Sequence, residues 1–183
     1  MTRNNLTSFV LTIMIISLSA TIASAGKVWL DPEILNLEKI GSIGTMTVRI
    51  EGVAEIAGVE LYITYNTKVV KVVSTPVPGV CPKPELKIYN DFNNETGLVR
   101  YTVSTLKADV CDSAASPNLP IVAITFERIG PGNANIKFSL DKKDAGISII
   151  ACKGVQTLDN STPESWKKAT ITGEAAMSKK PTN

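Results

Sequence analysis

Along most of the chain, apolar and polar residues alternate one by one. Met46, Val48 and Ile50 are separated by Thr47 and Arg49, and Val59, Leu61, Ile63 and Tyr65 by Glu60, Tyr62 and Thr64. The same alternation runs through Val99, Tyr101 and Val103, then Val122, Ile124 and Phe126, then Ala134, Ile136, Phe138 and Leu140. A period of two places one set of side chains in a core and the other in solvent, as in a half-buried strand. Beyond the N-terminal leader no window carries a helical stripe. Gly41-Ser42-Ile43-Gly44, Pro76-Val77-Pro78-Gly79, Asn93 to Gly97 and Gly130-Pro131-Gly132-Asn133 supply turn residues between the runs. The pattern predicts nine strands, at 27–37, 45–52, 58–65, 69–75, 85–92, 97–105, 121–129, 133–140 with an extension to 151, and 167–176. Many short strands joined by Gly/Pro turns fold as an all-β two-sheet sandwich or jelly roll.

The first 25 residues read as a leader. Arg3 precedes the apolar or small run FVLTIMIISLSATIA, which ends in Ala23-Ser24-Ala25, so cleavage is expected before Gly26. An uncleaved membrane anchor is the rival reading, but the run is shorter and more diluted by Ser and Thr than a spanning helix requires. The expectation is a secreted, extracellular protein that meets a membrane only through its transient signal segment. Residues 26–176 form one domain, and 177–183 form a polar, disordered tail.

Charge and composition narrow the function. The 183 residues hold 19 Lys and Arg against 17 Asp and Glu, with no long basic run, so neither a nucleic-acid footprint nor a polybasic membrane patch is expected. Histidine is absent, which removes His-based triads and His-ligated zinc. No pair of acids stands out as general acid and base, so the expectation is no enzyme, no catalytic residue and no cofactor. Cys81, Cys111 and Cys152 are spaced 30 and 41 residues apart, matching no zinc or redox motif. Secretion favours one disulfide. Cys81 and Cys111 follow strands that return to one end of the sandwich, which makes their bridge the expectation, with Cys111–Cys152 as runner-up.

Several motifs carry a chemical and a structural reading. Asp91 to Gly97 spaces oxygen ligands as a calcium loop does, but it lacks the distal bidentate acid and reads better as a hairpin turn, so no metal is expected. Asp141, Lys142, Lys143 and Asp144 read as a solvated face. Asn94-Glu95-Thr96 and Asn160-Ser161-Thr162 are formal glycosylation acceptors. Trp29 and Trp166 are expected to pack beneath the terminal strands rather than form a sugar-stacking platform.

The order GVELYITYN, KVVKVV, a Pro-Gly turn, TGLVRYTVSTL, PIVAITFERIGPGNANIKFSL and KKATITGEA resembles that of cohesin domains over about residues 27–176. The resemblance implies a nine-stranded flattened jelly roll related to carbohydrate-binding modules. It also implies a non-catalytic receptor for dockerins, the calcium-binding modules of secreted enzymes, in a polysaccharide-degradation context. The family docks through the sheet of its eighth, third, sixth and fifth strands. Carried over by position, that face comprises Glu60, Tyr62 and Thr64; Lys87, Tyr89 and Asp91; Arg100, Thr102, Ser104 and Thr105; and Asn135, Lys137 and Ser139. Tyr62 and Arg100 are the residue types most often found as anchors. The chain departs from the family at Asn66-Thr67, where a Tyr-Asp-Pro turn is usual, at Gly58, where one cohesin class carries a docking Asn, and at Thr102, where an outward apolar residue is usual. The alternative partner is a polysaccharide bound directly by the same sandwich.

Overall fold

The computed structural model describes residues 26–80, 85–105, 111, 118–143, 145–152, 158–159 and 161–173. The expected leader and tail lie outside this set. Its elements are fifteen short strands: β1 (Lys27–Asp31), β2 (Ile34–Asn36), β3 (Ile43–Glu51), β4 (Ile56–Thr64), β5 (Val70–Val72), β6 (Val77–Pro78), β7 (Leu86–Asn93), β8 (Leu98–Ser104), β9 (Leu119–Arg128), β10 (Ala134–Phe138), β11 (Leu140–Asp141), β12 (Gly146–Ile147), β13 (Ile149–Cys152), β14 (Trp166–Lys167) and β15 (Ala169–Thr172). One 3-10 turn, Pro163–Ser165, precedes β14.

The strands form two facing sheets. Sheet I has the order β14-β1-β3-β9-β5, with β6 also on β9; sheet II has the order β2-β15-β10-β4-β8-β7, with β13 also on β4. The alternating residues fill the space between them. Val48, Ile50, Val122, Ile124 and Phe126 of sheet I meet Leu61, Ile63, Val99, Tyr101 and Ile136 of sheet II, all fully buried. Each such aliphatic side chain removed from water contributes about 1.5–3 kcal/mol before chain entropy is counted.

Three expected strands are each divided. The first leaves sheet I at Pro32 and continues in sheet II as β2, parallel to β15. The last runs as β14 beside β1 and then crosses to sheet II as β15 beside β10. Both crossings knit the sheets along one side. The third divided strand is the 133–151 segment, which pairs with β4 as β10 and again as β13 but breaks between them. Pro120 of β9 sits opposite Arg49 at a register shift; a residue without an N–H is tolerated where the ladder is already interrupted.

At one end the sheets are tied by polar contacts. Asn94, in the β7–β8 turn of sheet II, reaches β5 of sheet I. Its Oδ1 accepts from the Val72 N–H at 2.8 Å, and its Nδ2 donates to the Val72 carbonyl at 2.9 Å. Tyr65 O–H donates to the same Oδ1 at 2.7 Å, and its ring meets Phe126 edge-on with centroids 5.7 Å apart. The turn itself is closed by Asn93 Oδ1, which accepts from the Glu95 and Thr96 amides, and by Gly97 at φ +70°. A Cβ at Gly97 would collide with the Tyr65 carbonyl, so the left-handed turn and the close approach both call for glycine. Asn94 is therefore a clamp, and a glycan on Nδ2 would displace its bond to Val72. Asn160 lies outside the described residues.

The clamp gives a stability prediction. Asn94→Ala strands the Val72 amide and leaves the Tyr65 hydroxyl with only its longer bond to the Asn93 carbonyl, 3.2 Å, and is expected to cost about 1–3 kcal/mol in urea unfolding. Thr96→Ala, which removes the glycosylation signal but not the clamp, should leave the midpoint nearly unchanged.

Candidate functional site

The outer face of sheet II is read most directly as rows across the strands. Register aligns Tyr62, Arg100 and Asp91 on β4, β8 and β7; Glu60, Thr102 and Tyr89 form the next row, with Ile149 of β13 beside Glu60. Beyond these lie Gly58 with Ser104, Leu86 and Ala151, and on the other side Thr64 with Leu98, Asn93 and Lys137. Side chains directly opposite one another share a face, so the alternation of β4 and β8 brings Glu60, Tyr62, Thr64, Arg100, Thr102 and Ser104 together as expected. Asn135 stands farther out on β10, opposite Thr170, and Thr105 follows β8, its amide donating to the Ala57 carbonyl.

The charges at the centre of this face already have partners within the protein. Arg100 binds Asp91 in a two-pronged ion pair, Nε to Oδ1 at 2.9 Å and Nη2 to Oδ2 at 2.7 Å. Its guanidinium also lies over the Tyr89 ring, 4.5 Å from the centroid. Planar stacking and a bidentate fork together hold Arg100 in one geometry, which a lysine could not reproduce. Tyr62 O–H donates to Glu60 Oε1 at 2.6 Å. That bond, with burial and the Glu60 charge, pushes the Tyr62 hydroxyl up to about 12. Tyr65, beneath the face, is also pushed up to about 12, by burial.

Four expected positions behave differently. Tyr62 is not a bare outward anchor: between β10 and β13 the chain makes a small hairpin, β11–β12, which crosses over it. Gly146 at φ +139° lies against the Tyr62 ring, and a Cβ there would approach Cγ to 2.8 Å. Ser139 is buried under the same hairpin, its hydroxyl donating to the Gly146 carbonyl at 2.6 Å. Ser148 completes the seam, accepting from the Tyr62 amide at 3.0 Å. Asp141 thus ends β11, and Lys142 and Lys143 belong to the turn that follows it, not to a continuous strand; Asp144 lies outside the described residues. Lys87 is displaced because the β7–β8 register shifts between Lys87 and Tyr89, which aligns Lys87 with the inward Val103. Thr102, finally, is only 9% exposed, and its buried hydroxyl has no hydrogen-bond partner.

The same shift reveals residues that strict alternation would bury. Leu86 and Ile88 are 42% and 54% exposed on the edge strand, beside Tyr89 at 38%. Between them and β13 lies a hollow of about 300 Å3, floored by Gly58 and Val59 and walled by Thr102, Ser104 and Ile149. It exists because Gly58 has no side chain. Within the Asp91–Gly97 segment, Asp91 is engaged by Arg100, and Asn93 and Asn94 by the turn and clamp. Trp29 and Trp166 are 7% and 8% exposed, so neither offers an open stacking face.

The cysteines fall at the end of this sheet. Ile56 pairs with Cys111 on one side and Cys152 on the other. Two strand spacings separate them by about 10 Å, beyond the ~7 Å limit for a disulfide, and no bond joins the two. The Cys111–Cys152 alternative is therefore excluded by the pairing. Cys81 lies outside the described residues; Cys111 Sγ stands 4.0 Å from the carbonyl of Val80.

No protein-family model matches the sequence, and no curated protein matches it. Solved structures do. The third cohesin of ScaC from Acetivibrio cellulolyticus, in complex with the ScaB dockerin, superposes with a TM-score of 0.61 at 15% identity, covering 82% of this chain and 99% of that one. A type I cohesin–dockerin complex from Clostridium thermocellum gives 0.57 at 16%, covering 82% and 94%. The chain has the cohesin fold. A type II cohesin domain from the cellulosome of Acetivibrio cellulolyticus also matches, with a TM-score of 0.53 at 13% identity over 74% of this chain and 95% of that one. Both types thus share the cohesin fold seen here.

Tyrosine titration tests the face. Glu60→Gln should lower the Tyr62 midpoint from about 12 toward its ordinary ~10, leaving Tyr65 in place, as read by near-ultraviolet absorbance. Because both folded values are raised, their contribution to stability is intact below pH ~10 and is lost as pH rises through about 12.

Proposed function

We propose that this chain is a secreted, non-catalytic binding module that receives a dockerin on the outer face of sheet II. The observation that carries the reading is the constellation Tyr89–Arg100–Asp91 beside the Gly58 hollow. It is a broad sheet face with a rigid aromatic–guanidinium anchor, exposed apolar residues and one depression. Interface hot spots favour such anchors at the edge of a desolvated pocket. Cohesins of the same fold are seen in complex with dockerins. Calcium would arrive with the dockerin, and the face needs no metal of its own. The residues of the docking face proper are Glu60, Thr64, Tyr89, Asp91, Arg100, Thr102 and Ser104, with Leu86 and Ile88 added. Tyr62 acts beneath the β11–β12 hairpin. Direct polysaccharide binding lacks a flat aromatic surface on this face.

A calorimetric titration against a panel of dockerin modules, with calcium and with chelator, tests the proposal. One or more dockerins should bind only with calcium, and Arg100→Ala should weaken that binding by about 2 kcal/mol. Gly58→Lys should also weaken it by filling the hollow, with the fold unaffected, since a Cβ at Gly58 meets nothing nearer than 3.5 Å. Unchanged affinity in both variants would show that another surface docks.

The disulfide belongs to the same secreted reading. We propose that Cys81 and Cys111 are bridged in the exported protein and that Cys152 stays reduced. Burial, aided by the Glu55 charge, raises the Cys152 thiol and makes it a poor nucleophile. Non-reducing peptide mapping should return a Cys81–Cys111 linked pair and one alkylatable cysteine, Cys152.

A further inference from the structure

A second concave site lies where the chain crosses between sheets. Register places Lys167 of β14 beside Trp29 of β1, and Ala169 of β15 beside Ile136 of β10, with Lys168 between the two sheets. Lys27 opens β1, and Lys137 lies on β10 next to Phe138. These pairings gather four lysines, Lys27, Lys137, Lys167 and Lys168, around one cleft of about 510 Å3 whose lining contains a single acid, Glu33. Among the described residues none of the four is ion-paired, whereas Arg49, Lys71 and Arg100 each have an acidic partner. The Lys27 ammonium is held over the Trp29 ring, 4.6 Å from its centroid. Phe138 and Trp166 close the cleft from within, their rings 5.2 Å apart, with Leu140 alongside.

The arrangement is uneven for a chain with a formal net charge of only +2. Four unpaired ammonium groups around one depression repel one another and focus a positive potential into it. Its volume is that of a small-ligand site. An extended peptide would need a free sheet edge or a long groove, and the edge here, β14, is two residues long. A neutral sugar would need an open aromatic face, but Phe138 and Trp166 are no more than 9% exposed. A compact ligand with several peripheral negative charges, its remaining oxygens accepting from the same ammonium groups, fits the lysines without an open aromatic face.

We propose that this cleft binds an acidic oligosaccharide, its charge carried by carboxylate or phosphate groups. The site is separate from the dockerin reading and does not rest on it. The test measures binding of trigalacturonate and of phosphorylated maltotriose, with cellotriose and hexaglutamate as competitors of other chemistry. At least one of the first two should bind, and which one identifies the anionic group. Lys167→Gln with Lys168→Gln should weaken that binding about tenfold, as should raising salt from ~0.05 to ~0.3 M. Both lysines are exposed, so the fold should persist, and Lys137 is left intact because it also borders the docking face. Failure of both anions to bind, equal binding of cellotriose, tighter binding of hexaglutamate, or a double variant that binds like the parent would each overturn the proposal.

Discussion

Everything in sheet II is arranged around the pairing of β4 on both of its edges. One edge is held by β8 over seven consecutive residue pairs, from Gly58 to Thr64. The other is shared by β10 at Ile63 and Thr64 and by β13 from Ile56 to Glu60. A strand fixed on both sides cannot slip, because a one-residue shift would bring Val59, Leu61 and Ile63 to solvent and Glu60, Tyr62 and Thr64 into the core. That constraint sets which side chains can face a partner. It also leaves one gap, opposite Tyr62, and the chain uses this gap to put out the β11–β12 hairpin. The Tyr62 ring and the Ser139 and Ser148 hydroxyls fill the seam, so the interruption leaves no unpaired backbone at the strand centre.

Asn94 does a comparable job between the sheets. Aliphatic burial holds the layers together but has no direction, and it fixes their relative position poorly. A side-chain amide bonded to the N–H and C=O of one residue, Val72, does have direction. With Tyr65 on the same oxygen, it sets where the β7–β8 turn sits above β5. The turn is thereby anchored, and Asp91 and Arg100, only a few residues away on either strand, are held in register with it.

What the sequence made legible follows from this. The β4 and β8 alternations can be read because their mutual pairing keeps one register over seven residues, which brings Glu60, Thr64, Arg100 and Ser104 to one face. The β7 phase could not be read, since a bulge at an edge strand reflects local twist and leaves LKIY looking like any alternating run. The hairpin over Tyr62 was hidden because DKKDAG has the composition of an ordinary solvated turn; only Gly146, followed by a return to apolar residues, hinted at a close approach. The lysine cleft was least visible. Lys27, Lys137 and Lys167-Lys168 come together only through the sheet crossings, and Pro32 was the sole local sign that a strand changes sheets.

The two surfaces differ in one electrostatic respect that bears on what each can recognise. On the sheet face Arg100 is neutralised by Asp91, and Glu60 already accepts from Tyr62. A partner arriving there meets little net charge, and must gain affinity from shape, from Leu86, Ile88 and Tyr89, and from the hollow at Gly58. Screening by salt acts weakly on charges that are already paired at contact distance. In the lysine cleft the reverse holds, because its charges are unpaired and gain from any anion that enters, whatever its detailed shape. Pre-paired charges thus favour selectivity for one macromolecular surface, while bare ones favour capture of a class of ligand. The β7 bulge supports that division. It twists the exposed Leu86–Tyr89 edge out of a flat ladder, which discourages indiscriminate strand addition while keeping the apolar side chains available.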